Sequence, residues 1–134
     1  MKGGQASATF PKSLRLLRRA DFRRVYDEGQ RRSSSLSAAF LRANGLPQTR
    51  LGITTPRALG NAVLRNRIKR RLREVFRLNY AALAGGWDVV LNPRPAVARA
   101  AFPHLAKEIL RLLPRTPPAE GASRARETVR GQAQ

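Results

Sequence analysis

Residues 61–83 read NAVLRNRIKRRLREVFRLNYAAL, and the apolar positions recur with a helical period. Wound as a helix, this stretch gathers Leu64, Ile68, Leu72, Val75 and Asn79 on one side and Asn66, Arg70, Arg73 and Arg77 on the other. The pattern predicts a long helix with one face for a core and one for solvent or an anion. Asn61 is placed to cap its start by accepting from the amide of Val63 or Leu64. Gly85 and Gly86 stop it, because glycine tolerates positive φ.

The rest of the chain reads as elements packed around this helix. In residues 14–29, LRLLRRADFRRVYDEG, the residues Phe22, Val25 and Tyr26 have helical spacing, Asp21 lies near the start and Gly29 is the C′ residue. RRSSS follows as a polar hinge. Residues 36–43 and 50–55 read as strands joined by the turn NGLPQ, which predicts a hairpin. Phe40 projects from the first, Leu51 and Ile53 share a face of the second, and Pro56 ends it. WDVVL at 87–91 is a β-branched run of buried-strand type, closed by NPRP. Residues 102–113 place Leu105, Ile109, Leu112 and Leu113 at helical spacing, with Pro103 in the first turn and Pro114 beyond the end. Residues 1–13 are expected to be a flexible leader and 115–134 a disordered tail, which leaves a folded domain at 14–114. The order of elements implies an α+β fold, a small α/β sandwich of one sheet and about three helices.

Charge changes this picture most. The chain of 134 residues carries 27 Lys and Arg against eight Asp and Glu, a formal net charge of +19. Such an excess points to nucleic acid as the partner, ahead of an anionic membrane. Residues 61–83 hold seven basic residues (Arg65, Arg67, Lys69, Arg70, Arg71, Arg73, Arg77) against Glu74 alone, so pairing within the helix cannot neutralise them. Glu74 is expected to brace Arg70 or Arg71. Arginine grips phosphate oxygens with a planar fork of donors, and this face is mostly arginine. Near the first helix Arg18, Arg19, Arg23, Arg24, Arg31 and Arg32 surround Phe22 and Tyr26. Two readings of these rings stand side by side: core packing, or stacking with unpaired bases.

Candidate chemistry is sparse. Cysteine is absent, which excludes disulfides, thiolate nucleophiles and thiolate zinc sites, and His104 is the one histidine. The acids are Asp21, Asp27, Glu28, Glu74, Asp88, Glu108, Glu120 and Glu127, and no motif sets two of them together at a strand end. There is no phosphate-binding glycine loop and no Ser, His and Asp grouping of familiar spacing. No apolar run approaches the roughly 20 residues that span a bilayer, and the N-terminus has no signal-peptide core, so a soluble, cytoplasmic protein is expected. A nuclease acting alone is poorly supported by these residues, whereas an RNA-binding protein of ribosomal type shares the charge and the fold class.

The string GNAVLRNRIKRRLREVFR resembles the signature of the protein subunit of bacterial ribonuclease P, centred on Arg65, Asn66 and Arg67 and continued by Lys69, Arg70 and Arg73. ADFRRVYDEG, RLGITTP and WDVVLNPRP resemble the same family in order and spacing, over roughly residues 14–113. The resemblance implies the order αβββαβα with a left-handed βαβ crossover. It implies a partner, the catalytic RNA, that removes the 5′ leader of precursor tRNA with Mg²⁺; the protein is then a subunit of an endoribonuclease and supplies no catalytic residue and no metal ligand. Arg65, Asn66, Arg67, Lys69, Arg70, Arg73 and Arg77 would bind the RNA subunit. Phe22, Tyr26, Phe40 and Arg57 would line a cleft for the single-stranded leader, although Arg57 and Ala58 stand where members often carry two lysines. Neither DNA nor a membrane is implied as a partner.

Overall fold

The computed structural model describes residues 11–118. Three helices and four strands follow the order α1 (Arg19–Glu28), β1 (Gln30–Ser33), β2 (Ser37–Ala43), β3 (Arg50–Ile53), α2 (Ala62–Asn79), β4 (Trp87–Pro93) and α3 (Phe102–Leu110). This is the αβββαβα order that the family resemblance implies. Most of the expected leader and tail lies outside the described residues. Of the rest, Pro11 accepts from the Leu14 amide in a short turn, and Trp87 Nε1 donates to the Thr116 carbonyl at 3.0 Å.

The strands form one sheet in the order β1-β2-β4-β3. β2 pairs antiparallel with β1 and β4, and β3 runs parallel to β4. The expected hairpin between β2 and β3 is therefore not formed, because β4 lies between them. The reason is visible in β4 itself, where Asp88, Val89, Val90 and Leu91 are all buried. A continuous run of this kind is satisfied by a central strand with a neighbour on each edge and helices on both faces. The 44–49 connection is correspondingly a wide loop, held by Asn44, whose Oδ1 accepts from the Leu46 amide and whose Nδ2 donates to the Gln48 carbonyl. The parallel pair β3 and β4 is joined through α2, as a crossover requires.

Side chains alternate cleanly across the sheet. Ala39, Leu41, Leu51, Val89 and Leu91 face α2 and α3 and meet Ile68, Leu72, Val75, Phe76, Leu105 and Ile109 in the main core. Phe40 and Val90 face α1 and pack with Leu16, Phe22, Val25 and Tyr26. Each face of the sheet thus has its own apolar cluster, and α1 is separated from α2 by the sheet.

Three local expectations are revised. The polar hinge is in part a strand: β1 is exposed along its whole length and has no apolar alternation to announce it, and its backbone pairing to β2 alone defines it. The first helix begins at Arg19, later than the periodicity implies, because Arg15 and Leu16 run extended along β3, with the Leu16 amide donating to the Leu51 carbonyl at 2.9 Å. That segment covers the β3 edge. Gly29 does follow α1, but at φ −84° it has no need of the left-handed region. It is needed for space, since a Cβ there would sit 2.5 Å from the Val25 carbonyl oxygen and 2.8 Å from that of Leu41.

Candidate nucleic-acid interface

α2 starts as its sequence dictates. Asn61 is in extended conformation and its Oδ1 accepts from the Leu64 amide at 2.9 Å, satisfying one of the free donors of the first turn. Ile68, Leu72, Val75 and Phe76 are buried against the sheet, and Asn79 turns its Nδ2 back to the Val75 carbonyl. Arg70, Arg73 and Arg77 lie on the opposite side, Arg67, Lys69 and Arg71 on the flanks, and Arg65 on the core side of the first turn.

The structure divides those cations into distinct groups. Arg71 donates through Nη1 to the Val97 carbonyl at 2.7 Å and through Nη2 to the Ala100 carbonyl at 2.6 Å. Its fork is spent on fastening the turn after β4 to the helix. Arg65 and Arg67 are held differently, each through Nε alone: Arg65 to the Gly60 carbonyl at 3.1 Å and Arg67 to the Ala98 carbonyl at 2.8 Å. The two terminal nitrogens of each fork have no partner among the described residues. A guanidinium anchored at its inner nitrogen is preorganised, so little side-chain entropy is lost when a phosphate meets its outer edge.

Asn66 and Arg70 are exposed and have no partner among the described residues, and half-buried Lys69 lies beside them. Arg73 is half-buried, and desolvation, with the nearby positive charge of Arg15 as a smaller cause, lowers its pKa from the usual arginine value. It remains a cation at neutral pH. Arg77, not Arg70 or Arg71, is the arginine braced by Glu74: Nη2 meets Oε2 at 2.6 Å, three residues along the helix. Hydrogen bonding to that carboxylate is the main cause of a raised Arg77 pKa. The stripe expected at 66, 70, 73 and 77 thus has its freest members at the N-terminal end, next to Arg65 and Arg67.

The second surface lies across the sheet, beside α1. Tyr26 and Phe40 meet edge to face with ring centroids 4.9 Å apart, and the Arg31 guanidinium carbon lies 6.0 Å from the Phe40 centroid. Phe22, Tyr26 and Phe40 are all half-buried, so each presents part of its ring to solvent while the remainder packs on Val90. Gly52 makes room for this arrangement; a Cβ on it would meet the Phe22 ring at 2.7 Å. Both readings of the aromatics fit this geometry: the rings pack against the core on one side and are open to solvent on the other. Arg57 is exposed in the short turn Arg57–Leu59, three residues beyond Thr54, whose hydroxyl lies 2.8 Å from the Tyr26 hydroxyl.

Sequence reasoning did not single out Thr54 or Asn92, yet both touch Tyr26. Neither belongs to a motif, and the only signal for them is the alternation that puts them on the same sheet face as Phe40.

No grouping of three or more His, Asp or Glu suited to a metal ion occurs among the described residues. Glu28, Glu74, Asp88 and Glu108 instead face Arg42, Arg77, Arg50 and Arg111. These carboxylates do not fit a divalent-ion site.

The family profile described as Ribonuclease P matches residues 10–116. A ribonuclease P protein component from Caldanaerobacter subterraneus is 37% identical over 106 residues, covering 79% of this chain and 91% of the relative. Among solved structures, the RNase P protein from Thermotoga maritima superposes with a TM-score of 0.70 at 35% identity, over 75% of this chain and 96% of that one. The RNase P protein from Staphylococcus aureus gives a TM-score of 0.68 at 28% identity, over 75% of this chain and 93% of that one.

Proposed function

The chain belongs to the ribonuclease P protein family, and from that premise we infer that it assists a catalytic RNA in removing the 5′ leader of precursor tRNA by binding both the RNA subunit and the leader. The observation that carries this reading is the division of labour on α2. Its inner face is the core of the fold, while Asn66, Lys69, Arg70, Arg73 and Arg77 lie toward the outer side and Arg65 and Arg67 join them at the N-terminal end, with Glu74 as the one acid of the helix. In this reading these residues dock the RNA subunit, with Arg65, Arg67 and Arg70 offering forks to phosphate. Phe22, Tyr26 and Phe40 receive the unpaired bases of the leader, and Arg57 attracts its backbone.

The physical need for such a protein is electrostatic. An anionic leader and an anionic ribozyme repel, and a polycation that touches both reduces the repulsion and releases counterions from each. The Mg²⁺ of the reaction belongs with the RNA in this account, which is consistent with the arginine-paired carboxylates, and the protein contributes binding and orientation. A cytoplasmic location follows from the same reading, and no helix among the described residues is long and apolar enough to cross a membrane.

Reconstitution tests the proposal. Purified protein, precursor tRNA and Mg²⁺ are incubated with and without the ribonuclease P RNA. Cleavage at the mature 5′ end is expected only when the RNA is present, with the protein lowering the salt and Mg²⁺ needed. Cleavage by the protein alone would overturn this account.

A further inference from the structure

Two rows of side chains cross the sheet on the α1 side. Strand register places Arg31, Phe40, Val90 and Gly52 in one row, and Ser33, Ala38 and Asn92 in the next, where Thr54 continues β3. Phe22 and Tyr26 lie over the first row. The second row is small and polar, and its centre is Asn92.

The bonds around Asn92 have a direction. Tyr26 donates its one phenolic proton to Asn92 Oδ1 at 2.8 Å. The Tyr26 oxygen is also 2.8 Å from Thr54 Oγ1, so the Thr54 hydroxyl must be the donor in that second bond. The chain Thr54 to Tyr26 to Asn92 therefore ends on the Asn92 carbonyl oxygen and orients the amide. Its Nδ2 group, with two N–H donors, has no partner among the described residues. The side chain is half-buried, and its register partner Ala38 contributes only a methyl group.

We propose that Asn92 is the specificity-determining residue of the cleft, donating from Nδ2 to an acceptor atom, a ring nitrogen or carbonyl oxygen, on one base of the single-stranded leader. The inference rests on the reading of the aromatic cleft as the leader site. Stacking on Phe40 and Tyr26 accepts any base, because every base has a π face. A fixed donor beside the stack adds what stacking lacks, a demand on the base edge. An asparagine normally pairs with adenine through both of its polar atoms. The bond from Tyr26 uses one lone pair of Oδ1 and fixes how the Asn92 amide is turned, and Nδ2, with both N–H groups unused among the described residues, is the group left to meet an acceptor on the base. Thr54 and Tyr26 act on the leader through it, as positioning residues.

The test uses the holoenzyme reconstituted with its RNA, and precursor tRNAs whose leaders carry a single abasic site at each position in turn, with mature tRNA as the control. Asn92→Asp keeps the acceptor for Tyr26 and replaces the amide donor by an anion; Asn92→Ala removes both. Wild-type holoenzyme should lose affinity at each position whose base stacks on the rings, and show one position with an additional dependence of about 3- to 10-fold from the lost hydrogen bond. Both variants should bind the intact leader more weakly by a similar factor, Asp the more so, lose the additional dependence at that one position, and bind mature tRNA as wild type does. If both variants keep the wild-type abasic profile while Phe40→Ala loses leader affinity, the cleft stands and the role of Asn92 is wrong. Equal weakening of intact and abasic leaders at every position would also overturn it, since the donor would then be meeting the backbone. If Phe40→Ala treats leader-bearing and mature tRNA alike, the leader site lies elsewhere and the Asn92 assignment falls with it.

Discussion

Arg50 and Asp88, register partners on the parallel strands β3 and β4, are joined by two hydrogen bonds of 2.9 and 2.8 Å. The Asp88 side chain is 3% exposed and that of Arg50 24%, so one partner is buried and the other reaches water. The bond to Asp88 is the leading cause of a raised Arg50 pKa, with burial opposing it. Asn44 Nδ2 adds a bond of 2.9 Å to the same carboxylate, tying the 44–49 loop to the pair. Arg50→Met leaves a buried carboxylate with one neutral donor and is expected to cost roughly 2 to 4 kcal/mol in urea unfolding. The double variant Arg50→Met with Asp88→Leu should be less destabilised than the sum of the singles by about 1 kcal/mol or more. Additive losses would show that the pair is not the joint between β3 and β4.

Arginines on α2 should separate by function. Arg70→Ala is expected to leave the melting temperature unchanged, weaken binding of ribonuclease P RNA and reduce the slope of log affinity against log salt by about one. Arg71→Ala removes two charge-assisted bonds to the 97–100 turn and should cost about 1 to 2 kcal/mol, seen as a fall of roughly 5 to 10 °C in melting temperature. Arg65→Ala and Arg67→Ala should show both effects, the thermal one smaller than for Arg71→Ala. The opposite pattern, with Arg70 thermally important and Arg71 silent, would contradict the assignment.

Leader recognition should depend on the aromatic platform. Phe22→Ala or Phe40→Ala is expected to weaken binding of precursor tRNA more than of mature tRNA, by roughly 1 to 3 kcal/mol for a lost base stack. Equal losses for both RNAs would mean that the rings serve packing alone.

Gly52→Ala offers a backbone test of the same surface. Its Cβ would press on the Phe22 ring, which must shift for the protein to fold. The expected result is a folded protein with reduced preference for leader-bearing tRNA and unchanged affinity for the RNA subunit, measured by titration of each RNA.

The α2 cap can be checked independently of RNA. Asn61→Ala removes the acceptor for the Leu64 amide and should cost about 1 kcal/mol of stability. Asn61→Asp should retain that stability.

Local pattern determined a good part of this protein. The faces of α2, the Asn61 cap, the buried run of β4 and the placement of Phe22 and Tyr26 on one helix face are all consequences of residue order within a single element. The family signature at Arg65, Asn66 and Arg67 is equally local. What the sequence could not determine depends on segments far apart in the chain. β4 inserts between β2 and β3 because a strand buried on both faces stabilises most with a neighbour on each edge, and nothing within the 36–55 stretch states that such a competitor exists. β1 exists through its pairing with β2, despite a side-chain pattern that resembles a hinge. Seven cations on a helix look alike in sequence, but carbonyls of the 97–100 turn and Gly60 engage Arg65, Arg67 and Arg71, each in its own way. Only the tertiary structure puts those acceptors within reach, and it alone brings Thr54 and Asn92 to Tyr26, from 28 and 66 residues away.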